Sequence, residues 1–306
     1  MIHRLRETWR KNGPEVVSAL TRGLPDFVMS GAPVEHAGIP VFCYHDVSAA
    51  LFESHLRFLQ ANGYSTLTAD ELASALRHDG NSRITSGSAR RVVMTFDDGL
   101  LSLHDSVFPL LCRYNQRVVA FISPVFHTSA AVNASDSGRW ALPTCSWQHI
   151  ETMHASGLVD FQSHTLEHRL VFRWPCGAPL SGMSDAECER LRGPALSMAD
   201  DFARAREIIE HRLGKTVRHL AFPLYDGTLD AIRVGRDCGY EAFYWGVRPW
   251  KATNARGDDL SSIVRLSGEF LPRLPGRERV PLHAILRDRY ARHAPQWWRT
   301  NAKGGG

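Results

Sequence analysis

From residue 39 onward the chain alternates short apolar runs, rich in β-branched and aromatic residues, with stretches of helical spacing, and brief turn signals separate them. Few folds accept that rhythm. Strands joined through helices run parallel, so a sheet wrapped by helices is the expected class. Strands are read at 39–44, 64–67, 91–97, 117–123, 158–163, 217–222, 240–245 and 263–266, and helices at 51–62, 69–78, 100–115, 147–156, 198–213 and 228–237. The main strands number six or seven, which predicts an α/β fold, a distorted or incomplete (β/α)7 TIM-like barrel. Residues 1–35, with Trp9, Val16, Val17 and Leu20 among basic residues, are read as an N-terminal helical appendage, 36–275 as the main domain and 276–306 as a C-terminal tail.

Composition narrows the function classes. The 306 residues are 43% hydrophobic and 22% charged, which is ordinary for a globular chain and excludes collagen-like or disordered classes. The formal charge is only +4 and the basic residues are scattered, so no nucleic-acid partner is expected. No stretch is long and apolar enough to span a bilayer, although the basic N-terminal segment could touch a membrane surface. The first residues lack the apolar core of a secretory signal, so the expected location is cytoplasmic, or extracytoplasmic if a leader has been removed. None of the six cysteines forms a Cys-x-x-Cys pair; Cys43 and Cys112 read as small core residues, and Cys176 with Cys188 could pair.

The unusual polar residues fall directly after strands. The run Val92-Val93-Met94-Thr95-Phe96 ends in Asp97-Asp98-Gly99, two carboxylates that repel unless a cation or a proton stands between them. Alone, such a pair also fits a loop that caps the next helix. His45, His164 and Pro223-Leu224-Tyr225 likewise follow strands, and in a parallel barrel all these ends face one mouth. Ser163-His164-Thr165-Leu166-Glu167-His168 places two imidazoles four residues apart. With one carboxylate they form a two-His, one-carboxylate face suited to Zn²⁺ or another late divalent ion such as Co²⁺ or Ni²⁺.

Thr95-Phe96-Asp97-Asp98-Gly99, the His164-to-His168 stretch and Phe222-Pro223-Leu224-Tyr225-Asp226-Gly227 resemble the polysaccharide deacetylases with a NodB homology domain, carbohydrate esterase family 4. The early Tyr44-His45 stretch is similar to the start of the poly-N-acetylglucosamine deacetylase branch. The resemblance implies a metal-dependent hydrolase that removes N-acetyl groups from a sugar or polysaccharide. In it Asp97 is the general base, Asp98, His164 and His168 hold a divalent metal, Zn²⁺ first, and a water activated by the ion is the nucleophile. His45 is the implied general acid, because the family's late Leu-x-x-His stretch has no clean match and Leu282-His283 reads as tail. Pro223, Leu224 and Tyr225 are implied to meet the substrate, with a backbone amide near Leu224 or Tyr225 completing an oxyanion hole, and Trp245 to wall the acetyl pocket.

The pattern departs from the family in two places. Ala221 stands where the family's Arg-x-Pro-Tyr stretch has its arginine, so Asp97 needs another tether, and Leu224 interrupts the Pro-Tyr step. The 125–146 loop and the 172–195 insert are expected to shape a substrate groove, with Trp140 and Trp174 available for stacking on sugar rings. Two other readings stay open: a deformylase or other non-peptide C–N hydrolase acting on a lipid-linked sugar or small molecule, and a catalytically silent glycan-binding module.

Overall fold

The computed structural model describes residues 24–34, 38–77, 90–127, 142–168, 196–248, 251 and 253–293. Residues 1–23, most of the 125–146 loop with Trp140, and the 172–195 insert with Trp174, Cys176 and Cys188 lie outside them, so the expectations placed there lie outside them too.

Among the described residues eight parallel strands form the sheet: β1 (Val41–Tyr44), β2 (Tyr64–Thr66), β3 (Arg90–Asp97), β4 (Val118–Ile122), β5 (Val159–Ser163), β6 (His219–Ala221), β7 (Ala242–Gly246) and β8 (Ile263–Ser267). Strand β1 pairs with β8 on one side and β3 on the other, which closes seven strands into a ring. The eighth, β2, stays outside the ring. This division is possible because β3 is long: Arg90–Val92 pair with β2, and Val93–Phe96 pair with β1 along the same edge. The ring is uneven, since β5 and β6 share the single register pair Ser163↔Leu220. The expected strand at 217–222 is short for a local reason. The Val217 amide donates to the Glu210 carboxylate, and the Arg218 and His219 amides donate to Gln162 Oε1, so side chains replace the ladder there.

Alternation along the strands sorts two cores. Val41, Val93, Val119, Phe121, Ala221, Tyr244 and Ile263 fill the barrel interior. Their neighbours Phe42, Met94, Phe96, Val118, Ala120, Phe161, Leu220 and Phe243 face the surrounding helices. Those helices are α1 (Ala49–Ala61), α2 (Ala69–Arg77), α3 (Phe108–Tyr114), α4 (Trp147–Ala155), α5 (Met198–Leu213), α6 (Leu229–Asp237) and α7 (Leu282–His293). Side-chain caps mark the starts of five: Ser48 for α1, Thr68 for α2, Ser146 for α4, Ser197 for α5 and Thr228 for α6 each accept a backbone N–H of the first turn. A π turn, Leu103–Val107, leads into α3.

The interior is apolar in its middle and polar at both ends. At the N-terminal end His219 Nε2 meets Asp70 at 2.9 Å, and Lys215 pairs with Asp160, which closes that mouth. Asp97, Asp98, His164, His168 and His45 gather at the other end. Outside the ring, Phe27 and Val28 are buried, and Arg273 and Arg279 donate to the carbonyls of Phe27, Val28 and Met29. Among the described residues no helix is long and apolar enough to cross a membrane.

Candidate active site

Strand β3 delivers Asp97 at its last position, and the backbone then turns sharply. Asp98 (φ 72°) and Gly99 (φ 60°) both lie in the left-handed region. Alternation alone would send the two carboxylates to opposite faces; the turn brings both to the mouth. Gly99 has a second constraint, because a Cβ there would stand 2.6 Å from His127 Cε1. Non-glycine left-handed residues recur around this mouth at Thr165, His168, Leu224 and Tyr225, and such strain persists only where neighbours over-determine the backbone.

His164 leaves the end of β5 and is fully buried. Its Nδ1 donates to the Ala221 carbonyl at 2.8 Å, which turns Nε2, with its lone pair, toward Asp98 Oδ1 at 3.6 Å. His168 Nε2 lies 3.4 Å from the same oxygen. One ligand atom from each of Asp98, His164 and His168 falls within 4.8 Å of the others. Ligands about 2.1 Å from one ion, at roughly right or tetrahedral angles, stand about 3–3.5 Å apart, so the donor set fits a divalent cation of the zinc type. Burial holds the His164 pKa down, with Asp97 opposing and Arg265 assisting, and this keeps the imidazole neutral as a ligand must be.

Asp97 does have a tether, and it comes from β8, the strand on the other side of β1. Arg265, in the middle of β8 and fully buried, donates from Nη1 to Asp97 Oδ1 at 2.6 Å and to Thr95 Oγ1 at 3.3 Å. Its Nε donates to the Trp245 carbonyl at 3.3 Å, and the guanidinium stands over the Tyr225 ring at 5.3 Å. Burial alone would raise the Asp97 pKa, but the Arg265 charge, with His164 and His45, outweighs it and holds the carboxyl well below the usual range. The arginine missing at Ala221 is therefore supplied by another strand. A signal was present in the chain: Ile263-Val264-Arg265-Leu266 places one charge inside an apolar run.

His45 follows β1 and joins the same mouth. Its Nε2 lies 4.0 Å from Asp98 Oδ2, and its Nδ1 meets the Tyr225 hydroxyl at 3.4 Å. Burial pushes the Tyr225 pKa far up, so it stays a phenol. Pro223–Tyr225 form one 3₁₀ turn, in which the Tyr225 N–H donates to the Phe222 carbonyl at 3.0 Å. Trp245 is placed apart from this cluster. Its indole donates to the Ser261 carbonyl at 2.7 Å, packs on Phe222 with ring centroids 4.8 Å apart, and is covered by Arg248 at 4.0 Å. His283 lies on the exposed face of α7. Cys43 is buried beside the Asp97–Arg265 pair, where burial pushes its thiol up to about 12.

The comparisons with known proteins bear on this arrangement. The family model described as polysaccharide deacetylase matches residues 85–243, just over half of the chain, from β3 into β7. The chain belongs to the polysaccharide deacetylase family. The Bacillus subtilis protein YxkH, named for the same family, is 31% identical over 140 residues, and the match spans 43% of this chain and 44% of that one. Among solved structures, IcaB from Ammonifex degensii superposes with a TM-score of 0.58 at 22% identity, covering 79% of this chain and 97% of that chain. A de-N-acetylase from Aggregatibacter actinomycetemcomitans gives 0.54 at 23% identity, covering 74% and 94%. At these identities the solved structures establish the shared deacetylase fold, a distorted ring of parallel strands.

Proposed function

We propose that this deacetylase-family chain hydrolyses the N-acetyl amide of an N-acetylated sugar unit in a glycan, releasing acetate and a free amine. One observation carries the reading. Asp97, Asp98, His164, His168 and His45, delivered by three different strands, converge at the C-terminal mouth of one barrel, with the first carboxylate held ionised by Arg265. Asp98, His164 and His168 would hold a divalent ion, Zn²⁺ by the donor set, and when bound it supplies Lewis-acid polarisation of the acyl oxygen and acidifies a water.

The chain's own groups divide the proton work. Asp97 takes a proton from the attacking water; Arg265 fixes one of its oxygens, which leaves the other directed at the mouth. His45 gives a proton to the departing amine, and the Tyr225 hydroxyl against its Nδ1 orients the ring. Since the Tyr225 N–H is committed to Phe222, we assign the oxyanion contact to the Leu224 amide, which the left-handed turn at Leu224 presents. Pro223 and Tyr225 shape the wall beside it, and Trp245 acts on the pocket through the Arg265 contact to its backbone.

Acetate release from N-acetylglucosamine oligomers tests the assignment. Asp97→Asn is expected to lower the rate by about 10³-fold and His45→Asn by about 10²-fold or more. Full activity in folded Asp97→Asn would refute the reading.

A further inference from the structure

The loop that carries both imidazoles is held by a carboxylate that none of the recognised motifs contains. Asp201, in the first turn of α5, is fully buried, and its Oδ1 accepts the Leu166 N–H at 2.9 Å. Leu166 lies between the two histidines, in a stretch where Thr165 and His168 both take left-handed backbone angles. A buried carboxylate is costly unless hydrogen bonds meet it, and here it meets the backbone of the stretch that sets where His168 stands. The opposite side of the same loop is held from the end of β4. Ser123 Oγ donates to the His164 carbonyl at 2.8 Å, the His164 N–H donates to Ile122 at 2.8 Å, and the Val125 N–H donates to Leu166 at 3.3 Å. His164 is thus fixed through β4 and Ala221, whereas Leu166 is held from both sides, its carbonyl by the Val125 N–H and its N–H by Asp201 of α5.

We infer that Asp201 is a positioning residue for the metal site: it holds the 164–168 loop in its strained form before any ion arrives, so that His168 meets Asp98 and His164 without reordering the backbone. The inference rests on the reading of Asp98, His164 and His168 as metal ligands. It also gives α5 a part in the site. The helix starts at a capping box of Ser197 and Asp200, which fixes its first turn and with it the place of Asp201.

The test reads metal affinity rather than turnover, by competition for Co²⁺ and Zn²⁺ with a chromophoric chelator, together with the visible Co²⁺ spectrum. Asp201→Ala is expected to weaken both metals about tenfold and to change the Co²⁺ bands, while Asp201→Asn, which keeps the acceptor oxygen, stays within about threefold of the parent. Unchanged affinity in folded Asp201→Ala, or an equal loss in both variants, would overturn the inference. Amide exchange of the metal-free parent decides it even if the alanine variant fails to fold. A Leu166 amide as protected as the core of α5 supports the brace, and a fast-exchanging one refutes it. A parent protein that binds neither metal would sink the ligand reading itself, and this inference with it.

Discussion

In the proposed reaction, Arg265 and Asp97 are the pair that sets the charge at the mouth. Both are buried, and each alone would be an uncompensated charge in a low-dielectric interior. Replacing Arg265 with Met is therefore expected to cost about 3–5 kcal/mol of stability. With the cation gone, burial dominates Asp97 and its pKa rises, so the acidic limb of the activity profile should move to higher pH. A limb that stays in place in the folded variant would show that Arg265 does not set the ionisation of Asp97. The clustering of Asp97, Asp98, His164 and His168 was legible at this scale, because all four sit in short motifs that directly follow strands. The partners of Arg265 and Asp201 were not, because each reaches its partner from a strand or helix distant in the chain, 168 and 35 residues away in sequence.

The strand ends and the loops after them decide how those side chains are presented. His127, after β4, illustrates this. Its Nδ1 donates to the Cys145 carbonyl at 2.8 Å, its ring packs on Gly99, and the Cys145 N–H donates to the Gly99 carbonyl at 2.8 Å, so the β4–α4 connection clamps the Asp98-Gly99 turn. Burial lowers the His127 pKa to about 4. The folded protein resists protonation there while the unfolded chain accepts it near pH 6.5, so stability should fall as pH drops from about 6.5 to about 4. The slope from this group approaches roughly 1.4 kcal/mol per pH unit. Chemical denaturation across that window should show the slope reduced in His127→Asn, which keeps a donor near the Nδ1 position and does not titrate. Equal slopes in the two proteins would show that His127 protonates freely in the fold. Elements themselves were readable where helical spacing was sustained, as for α5, expected at 198–213 and found at Met198–Leu213. They were less readable where side chains took over backbone bonding, as at Val217 to His219, since no local pattern announces that Gln162 and Glu210 will accept those amides.

On the scale of the whole molecule, the early strand β1 closes the ring between β8 and β3, and so brings His45 and Arg265 beside Asp97. The alternation of elements predicted a barrel but not which strand would be left out, because β2 and β1 compete for the same edge of β3 and only the length of β3 lets both pair. The ring has a polar closure at one end and the Asp98, His164 and His168 cluster at the other, so metal binding and turnover are expected to be one property of one mouth. Acetate release from N-acetylglucosamine oligomers, measured on protein stripped by a chelator and again after one equivalent of Zn²⁺ or Co²⁺ is returned, tests that claim most directly. The stripped protein should be inactive and the reloaded protein should recover its rate, whereas full activity in the stripped protein would contradict the account.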